Sequence, residues 1–200
     1  DRIRAAARME PVVPPELRAE LRPYQTEGFR WLARLAMWAP GAVLADDMGL
    51  GKTVQALALL LARRDLGPAL VVAPTSVGFN WRREAERFAP TLHVRMVRGK
   101  AELSALAGLG AGDLLITSWD LVARHALRFQ GQRFATAVFD EAQAIKNPTT
   151  RRAKAVFALQ ADWRVALTGT PLENRTSDLW SVMRATLPGL LGSARSFHQR

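Results

Sequence analysis

The sequence predicts an α/β domain built on a parallel sheet with helices on both faces. Short apolar runs alternate along the chain with stretches whose apolar residues recur at helical spacing. Such alternation is typical of β-α-β units, in which crossover helices cover both faces of a parallel sheet. The length of 200 residues suits one domain of this class.

The candidate elements follow one another with clear breaks. A first helix is predicted over 24–38, ending before Pro40-Gly41. A helix over 53–64 has an Ala/Leu face and ends before Gly67-Pro68, and another covers about 76–88. The strand candidates are short apolar runs bounded by turn residues: 42–45, 69–73, 93–97, 113–117, 135–140 and 164–168. Because ligands of such sheets bind at the carboxyl ends of the strands, residues at those ends are the site candidates.

Composition limits the classes of function. The net charge of +10 favours a polyanionic partner, although a general solubilising charge is the alternative. The chain has no cysteine, which excludes disulfides and thiolate metal sites, and its three histidines lack ligand spacing. No apolar run approaches the roughly 18 residues of a membrane span, and no cleavable signal is visible. We therefore expect no membrane partner and a cytoplasmic or nuclear location, and of these we favour the cytoplasm of a bacterium.

The strongest motif is a glycine-rich loop from Asp46 to Thr53, between a candidate strand and a candidate helix. Glycines let backbone N–H groups approach phosphate oxygens, and the N-terminus of the following helix favours negative charge. Lys52 is expected to reach the β- and γ-phosphates, and the Thr53 hydroxyl to bind Mg²⁺. The loop predicts a nucleotide site, although Asp46 stands where the usual pattern has its first glycine.

The second motif is a pair of adjacent carboxylates, Asp140 and Glu141, at the end of an apolar strand. Asp140 is expected to hold Mg²⁺ through water, and Glu141 to orient and deprotonate the attacking water. A strand that ends in Asp-Glu is, by itself, more often a solvated turn. Together with the upstream phosphate loop, the pair predicts nucleotide hydrolysis, with Lys52 as the third catalytic group.

These motifs and their order resemble the first lobe of the Swi/Snf family of helicase-like, DNA-translocating ATPases. An acidic residue such as Asp46 is common in the phosphate loop of that family, and the run from Asp140 to Asn147 is similar to its carboxylate motif rather than to that of RNA helicases. The fourth position of this motif is more often His in the family and is Gln143 here; either side chain can hydrogen-bond toward the coupling motif. The other matching segments are Leu21 to Gln25, Ala73 to Ser76 with Asn80-Trp81, Ile116 to Trp119, Leu167 to Asn174, and Leu179-Trp180.

The resemblance implies a RecA-like lobe over 21–200, preceded by an N-terminal lead-in over 1–20. It implies ATP and Mg²⁺ as cofactors, and a DNA-dependent ATP hydrolase that moves along double-stranded DNA and remodels protein–DNA complexes without strand separation. The implied partners are duplex DNA, a DNA-bound protein, and a second RecA-like lobe of the same protein that lies outside these 200 residues. Without that lobe, we expect the chain to be nearly inactive.

The resemblance, carried over residue by residue, implies four groups of site residues in addition to the catalytic residues Lys52, Asp140 and Glu141. The metal group is Thr53 and Asp140. The nucleotide group is Arg22, Gln25, Asp47, Met48, Gly49, Leu50, Gly51, Lys52 and Thr53, in which the Gln25 amide would read adenine. The coupling group is Gln143, Thr168, Gly169 and Thr170. The DNA-contacting group is Pro74, Thr75, Ser76, Asn80, Trp81, Thr117 and Ser118.

Other functions use similar motifs. A GTPase or small-molecule kinase would share the phosphate loop, but the sequence has no Asn/Thr-Lys-x-Asp segment to read guanine. A strand-separating DNA or RNA helicase is the nearest alternative, and the residues after Gln143 and the acidic phosphate loop count against it. For the fragment alone, a non-hydrolysing module that binds DNA or a partner stays open. The six tryptophans are expected to be core or half-buried packing residues, since none lies in an aromatic-basic alternation typical of base stacking.

Overall fold

The computed structural model describes residues 2–46, 49–169 and 176–192, the side chain of Thr176 excepted. The strands are β1 (Gly41–Ala45), β2 (Ala69–Ala73), β3 (His93–Val97), β4 (Asp113–Ser118), β5 (Arg133–Asp140) and β6 (Gln160–Thr168). They form one sheet in the order β1-β6-β5-β2-β4-β3, with every pair parallel. The predicted parallel α/β architecture is confirmed.

Helices connect the strands and cover the sheet. They are α1 (Arg2–Arg8), α2 (Pro23–Leu35), α3 (Lys52–Ala62), α4 (Thr75–Phe88), α5 (Trp119–Arg124), α6 (Ala126–Gln130), α7 (Arg151–Phe157) and α8 (Thr176–Thr186), with 3₁₀ turns at Arg64–Leu66, Lys100–Leu106 and Ala142–Ile145. The short helix α1 lies in the predicted lead-in. Across the described ranges, no helix has the length and apolar character needed to cross a membrane.

Several element boundaries differ from the predicted ones for identifiable reasons. Helix α2 begins at Pro23, whose fixed φ and missing N–H suit the first helical position, and it ends at Leu35, three residues before its predicted end. Strands β5 and β6 begin earlier than predicted. Their first residues, Arg133 and Gln160, are exposed and polar, so hydrophobicity does not reveal them, yet they are paired in register.

The sheet separates two apolar layers. Leu70 and Val72 of β2 pack in the layer under α5, α6, α7 and α8, whereas Val71 and Ala73 pack in the layer under α2, α3 and α4. This division follows from the strand geometry, because successive side chains point to opposite faces. A central strand buried on both faces holds the residues at its carboxyl end firmly in place.

The carboxyl ends of the strands bring the predicted site segments into one row. In sheet order, the row begins with Asp46 after β1, Thr168 at the end of β6 and Asp140 at the end of β5. It continues with Pro74 after β2 and Ser118 at the end of β4. The predicted nucleotide groups therefore occupy one half of the edge and the predicted DNA groups the other.

Candidate nucleotide and DNA site

The glycine-rich loop after β1 has the backbone shape that phosphate binding requires. Gly49 and Gly51 have φ values of 85° and 74°, in a region that other residues rarely adopt. Gly51 directly precedes α3, so Lys52 and Thr53 lie in the first turn of a helix whose N-terminal N–H groups and dipole favour an anion. The Lys52 Nζ donates a hydrogen bond of 2.7 Å to the carbonyl oxygen of Asp46, which keeps the ammonium group within the loop.

The Gln25 side chain ties the start of α2 to this loop. Its Oε1 accepts a hydrogen bond from the Arg22 backbone N–H at 2.9 Å, and its Nε2 donates to the Leu50 carbonyl oxygen at 3.2 Å. A Cβ at Gly51 would lie 2.3 Å from Gln25 Nε2, so this close approach requires glycine. Because the protein engages both ends of the amide here, adenine recognition by Gln25 stays a prediction.

A second glutamine, Gln55, supports the loop and was missed from the sequence. It is fully buried on α3, and its Nε2 lies 3.5 Å from the carbonyl oxygens of both Leu50 and Gly51. A Cβ at Gly28 would lie 1.9 Å from the Gln55 Oε1, so α2 and α3 approach closely at this point. The available signal was a polar residue directly before an unbroken run of Ala and Leu.

An open cavity of about 650 Å³ adjoins the loop between α2 and β1. Its walls include Tyr24 and Trp31, which are 40% and 43% exposed, together with Asp46 and Leu50 of the loop. The volume lies in the range of roughly 300–1,000 Å³ typical of small-molecule sites, and exposed rings beside a phosphate loop suit a nucleobase. Trp31 and Trp38, the latter 44% exposed, keep about half of their surface accessible, whereas the other four tryptophans are buried.

The predicted catalytic carboxylates follow β5. Asp140 is 7% exposed; its Oδ1 accepts the Glu141 backbone N–H at 2.8 Å, and its Oδ2 accepts the Trp81 indole N–H at 2.7 Å. Burial raises the pKa of the Asp140 carboxyl, while the two N–H donors and the nearby Lys52 ammonium oppose that change and favour the charged form.

Glu141 links the carboxylates to the predicted coupling residues. Its φ of 51° makes it the one non-glycine residue with positive φ in the described ranges, and such strain, roughly 1–3 kcal/mol, concentrates at active sites. The Gln143 Nε2 donates to the Glu141 Oε2 at 2.5 Å, and the Gln143 Oε1 accepts from the Thr168 Oγ1 at 3.3 Å. Gly169 directly follows Thr168 at the end of β6. Gln143 thus contacts both motifs that it was expected to connect.

The donor set fits Mg²⁺ together with nucleotide phosphates. The two predicted metal residues offer oxygen, the Thr53 hydroxyl and the Asp140 carboxylate, and Mg²⁺ prefers oxygen ligands. Mg²⁺ at such sites takes only one or two protein groups and fills its shell with phosphate and water. The described part of the chain has no group of three or more His, Cys, Asp or Glu side chains that could hold a metal ion alone, and this site does not need one.

The two predicted DNA-contacting segments meet between β2 and β4. Pro74 immediately precedes α4, with Thr75 and Ser76 exposed in the first turn, and Ala73 of β2 pairs with Ser118 of β4. The Ser118 hydroxyl accepts the Leu121 N–H at 3.2 Å and so caps α5. One turn further along α4, Asn80 is half-buried and hydrogen-bonded to side chains of its own helix.

Two members of the predicted DNA-contacting group are buried. Trp81 has no exposed surface and its indole N–H donates to Asp140, so the expectation that this side chain touches DNA is wrong for this structure. Thr117 is 4% exposed, and its hydroxyl donates to the Val97 carbonyl oxygen at 3.0 Å, which leaves the half-buried Ser118 as the more accessible hydroxyl of that segment. Three further predicted site residues lie outside the described residues: Asp47, Met48 and Thr170.

Comparisons with known proteins agree with this geometry. The family model described as the SNF2-related domain matches residues 24–200. The Sulfolobus solfataricus SWI2/SNF2 ATPase core in complex with dsDNA is 40% identical, with a TM-score of 0.86 over 94% of this chain and 40% of that one. This match confirms the predicted RecA-like α/β fold.

Curated relatives come from bacteria and fungi. A Bacillus subtilis protein named as an ATP-dependent helicase/translocase, YwqA, is 40% identical over 94% of this chain and 21% of its own length. Helicase SWR1 of Debaryomyces hansenii is 40% identical over 88% of this chain, and the TATA-binding protein-associated factor MOT1 of Saccharomyces cerevisiae is 32% identical over 94%. The chain spans only 11% of each of these two yeast proteins. Its motifs, fold and family match agree: the chain belongs to the SNF2-related domain family.

Proposed function

We propose that this chain is the ATP-binding lobe of a DNA-dependent ATPase that moves along double-stranded DNA and remodels protein–DNA complexes without separating the strands. The observation that carries the proposal is the row of groups along one edge of the sheet. Groups suited to a nucleotide lie at the carboxyl ends of β1, β6 and β5. Hydroxyls suited to phosphates lie at the carboxyl ends of β2 and β4, exposed at Thr75 and Ser76 and half-buried at Ser118. Because β5 and β2 are paired neighbours, the two halves of the site adjoin on one rigid support.

The nucleotide half has groups that can bind the phosphates, hold Mg²⁺ and activate water. Lys52 and the loop N–H groups bind the β- and γ-phosphates, and Thr53 and Asp140 hold Mg²⁺. Bound Mg²⁺ supplies further neutralisation of the phosphate charge. Glu141 orients the attacking water and takes its proton, and the contact from Gln143 keeps its carboxylate in place.

The DNA half favours backbone contact over base recognition. The exposed Thr75 and Ser76 hydroxyls lie at the N-terminus of a 14-residue helix, and hydroxyls and helix N-termini are groups that bind phosphate oxygens. The net charge of +10 acts in the same direction. The solved relative is described as a complex with dsDNA, which supports duplex DNA as the partner.

The remaining parts of the proposal concern the longer protein. This chain spans 40% of the solved ATPase core, which supports a second RecA-like lobe as its partner in the same protein. The MOT1 relative is named as a TATA-binding protein-associated factor, which supports a DNA-bound protein as the remodelled object. The proposed location is cytoplasmic or nuclear. Because relatives come from both bacteria and yeasts, a bacterial location is not favoured.

A strand-separating helicase is the second candidate function. It is favoured by one observation, that relatives with 40% identity are named as helicases. The two candidates differ in what ATP hydrolysis does to a duplex, and they also differ in which nucleic acid the lobe prefers.

We expect this chain to bind duplex DNA weakly and without sequence preference. Contact with a few phosphates should give a plot of log affinity against log salt with a slope of about −2 to −4, at about −0.9 per phosphate neutralised. A fluorescence anisotropy salt series with duplex DNA, single-stranded DNA and duplex RNA measures this. Tight, salt-insensitive binding to single strands would contradict the proposal and favour the helicase.

A matched pair of variants locates the contact. The double variant Thr75→Ala, Ser76→Ala removes two exposed hydroxyls and should weaken duplex binding by about fivefold to a hundredfold, since each hydrogen bond contributes about 0.5–1.5 kcal/mol. Thr91→Ala removes an exposed hydroxyl just before β3, where the amino ends of the strands lie, far from the carboxyl ends that form the site. This variant should change duplex affinity less than twofold. Equal losses in both variants would show that the contact does not lie at α4.

A further inference from the structure

We infer that Trp81 is a positioning residue for Asp140, and that it links the DNA-facing end of α4 to the metal-binding side of the site. The inference rests on the proposed function, since it takes Asp140 as the carboxylate that holds Mg²⁺ and the start of α4 as a DNA contact. The two residues are 59 positions apart in sequence, and they meet because β2, which leads into α4, pairs with β5.

The Trp81 indole contacts the carboxylate itself. Its Nε1 lies 2.7 Å from the Asp140 Oδ2, while the Oδ1 accepts the Glu141 backbone N–H at 2.8 Å. A carboxylate has about four lone-pair sites, so two donors fix its rotation and leave others for metal-bound water. An indole N–H donates only and carries no charge, so Trp81 orients the carboxylate without competing with a cation as Lys or Arg would.

The burial of Asp140 explains why such a donor is needed. Asp140 is 7% exposed, so its carboxylate oxygens depend on donors from the protein where water has little access. Trp81 is one such donor, and a partner that fixes the orientation of a metal ligand commonly assists metal binding.

Helix α4 connects this contact to the DNA surface. Thr75 and Ser76 lie in its first turn, and Trp81 follows Thr75 by six residues, or about 9 Å along the helix axis. The helix lies close on the sheet at Gly78, where an added Cβ would be 3.7 Å from the Ile116 Cγ2 of β4. A shift of α4 on binding a phosphate would therefore move the Trp81 N–H relative to Asp140, which is fixed at the end of β5.

The other DNA-facing segment also reaches Asp140. Trp119 directly follows Ser118, is 3% exposed, and donates from its Nε1 to the Asp140 carbonyl oxygen at 3.1 Å. Its ring packs beside Phe139, with centroids 6.1 Å apart. Trp119 thus holds the main chain of Asp140 while Trp81 holds the side chain, so the effect on the metal is assigned to Trp81.

The first test measures Mg²⁺ dependence rather than turnover. Trp81→Phe in the full-length protein keeps an aromatic ring and removes the N–H. We expect the Mg²⁺ concentration that half-maximally enhances binding of a fluorescent ADP analogue to rise about 10- to 100-fold, the usual effect of removing a partner of a metal ligand. ADP affinity without Mg²⁺ should stay within twofold. An unchanged Mg²⁺ midpoint would overturn the inference.

Two further variants separate positioning from general damage. Trp163→Phe changes a tryptophan that is 2% exposed and whose Nε1 has no hydrogen-bond partner among the described residues, so its Mg²⁺ midpoint should change less than twofold. If Trp81→Phe does not fold, benzothienylalanine at position 81 replaces the N–H by sulfur in a ring of nearly the same shape. This isostere should give the same rise in midpoint, and a normal midpoint would overturn the inference.

The second test measures the link to DNA. Binding linkage is reciprocal, and coupling between sites commonly amounts to about 5- to 150-fold. We expect Mg-ADP to change the duplex affinity of the unmodified protein at least about fivefold, and that of Trp81→Phe less than twofold. The link would be overturned if Mg-ADP changed the duplex affinity of both proteins by the same factor, or changed it in neither. Failure of the unmodified protein to bind Mg-ADP or duplex DNA at all would instead refute the proposed function.

Discussion

ATP hydrolysis by this chain alone should be slower than hydrolysis by the longer two-lobe protein by a factor on the order of 10³ to 10⁵. Charge accumulates on the γ-phosphoryl oxygens in the transition state, and Lys52 neutralises only part of it. In related phosphate-loop systems an arginine supplied by another domain contributes this factor. We expect that arginine in the second lobe, as in the family that the motifs resemble.

Three samples and one inactive control variant are needed to compare the hydrolysis rates. Phosphate release is measured for this chain, for the longer protein, and for this chain mixed with a separately produced second lobe. The longer protein with Lys52→Ala sets the background, because it lacks the ammonium group of the phosphate loop. A chain that turns over ATP as fast as the longer protein would show that the site is complete within one lobe.

Glu141→Gln in the longer protein should lower the ATP hydrolysis rate by about 10²- to 10⁴-fold, the usual contribution of a positioned general base. The substitution keeps the size of the side chain and an oxygen that can accept from the Gln143 Nε2, which lies 2.5 Å from the Glu141 carboxylate in this structure. It removes the basic charge that takes the proton from water. Affinity for Mg-ATP should therefore stay within about threefold.

A charge-matched control distinguishes chemistry from net charge. Glu86→Gln removes an exposed carboxylate on α4 that pairs with Arg82 at 2.8 Å, and exposed pairs contribute roughly 0–1 kcal/mol. Its hydrolysis rate and nucleotide affinity should match those of the unmodified protein. If Glu141→Gln kept its hydrolysis rate, the general base would have to be another residue.

Much of the fold follows from local pattern. A strand covered on both faces needs apolar residues at every position, and Ala69–Ala73 meets this requirement with all five residues buried. The glycine loop and the paired carboxylates were also recognisable, since each stands next to a strand end. The order of the strands in the sheet could not be predicted, because consecutive strands such as β1 and β2 are separated in the sheet by β6 and β5. Local periodicity does not encode such crossovers.

Most of the differences between the predicted and the observed site arise from contacts between segments that are distant in the sequence. Trp81 was expected to contact DNA, yet it is fully buried, whereas Trp31 is 43% exposed beside the phosphate loop. On α2, Phe29 and Leu32 are the residues that face the core, and a tryptophan between them can point outward. Trp81 meets Asp140 only because β2 and β5 are neighbours, which the sequence of α4 cannot reveal.

The most direct test of the central claim asks what ATP hydrolysis does to a duplex. The longer protein is given ATP with two substrates, a duplex carrying a bound third strand and a forked duplex without one. A motor that moves along intact duplex should displace the third strand, leave the fork paired, and hydrolyse ATP faster with duplex DNA than with single strands. ATP-driven opening of the fork, or stimulation only by single-stranded DNA or by RNA, would contradict the account.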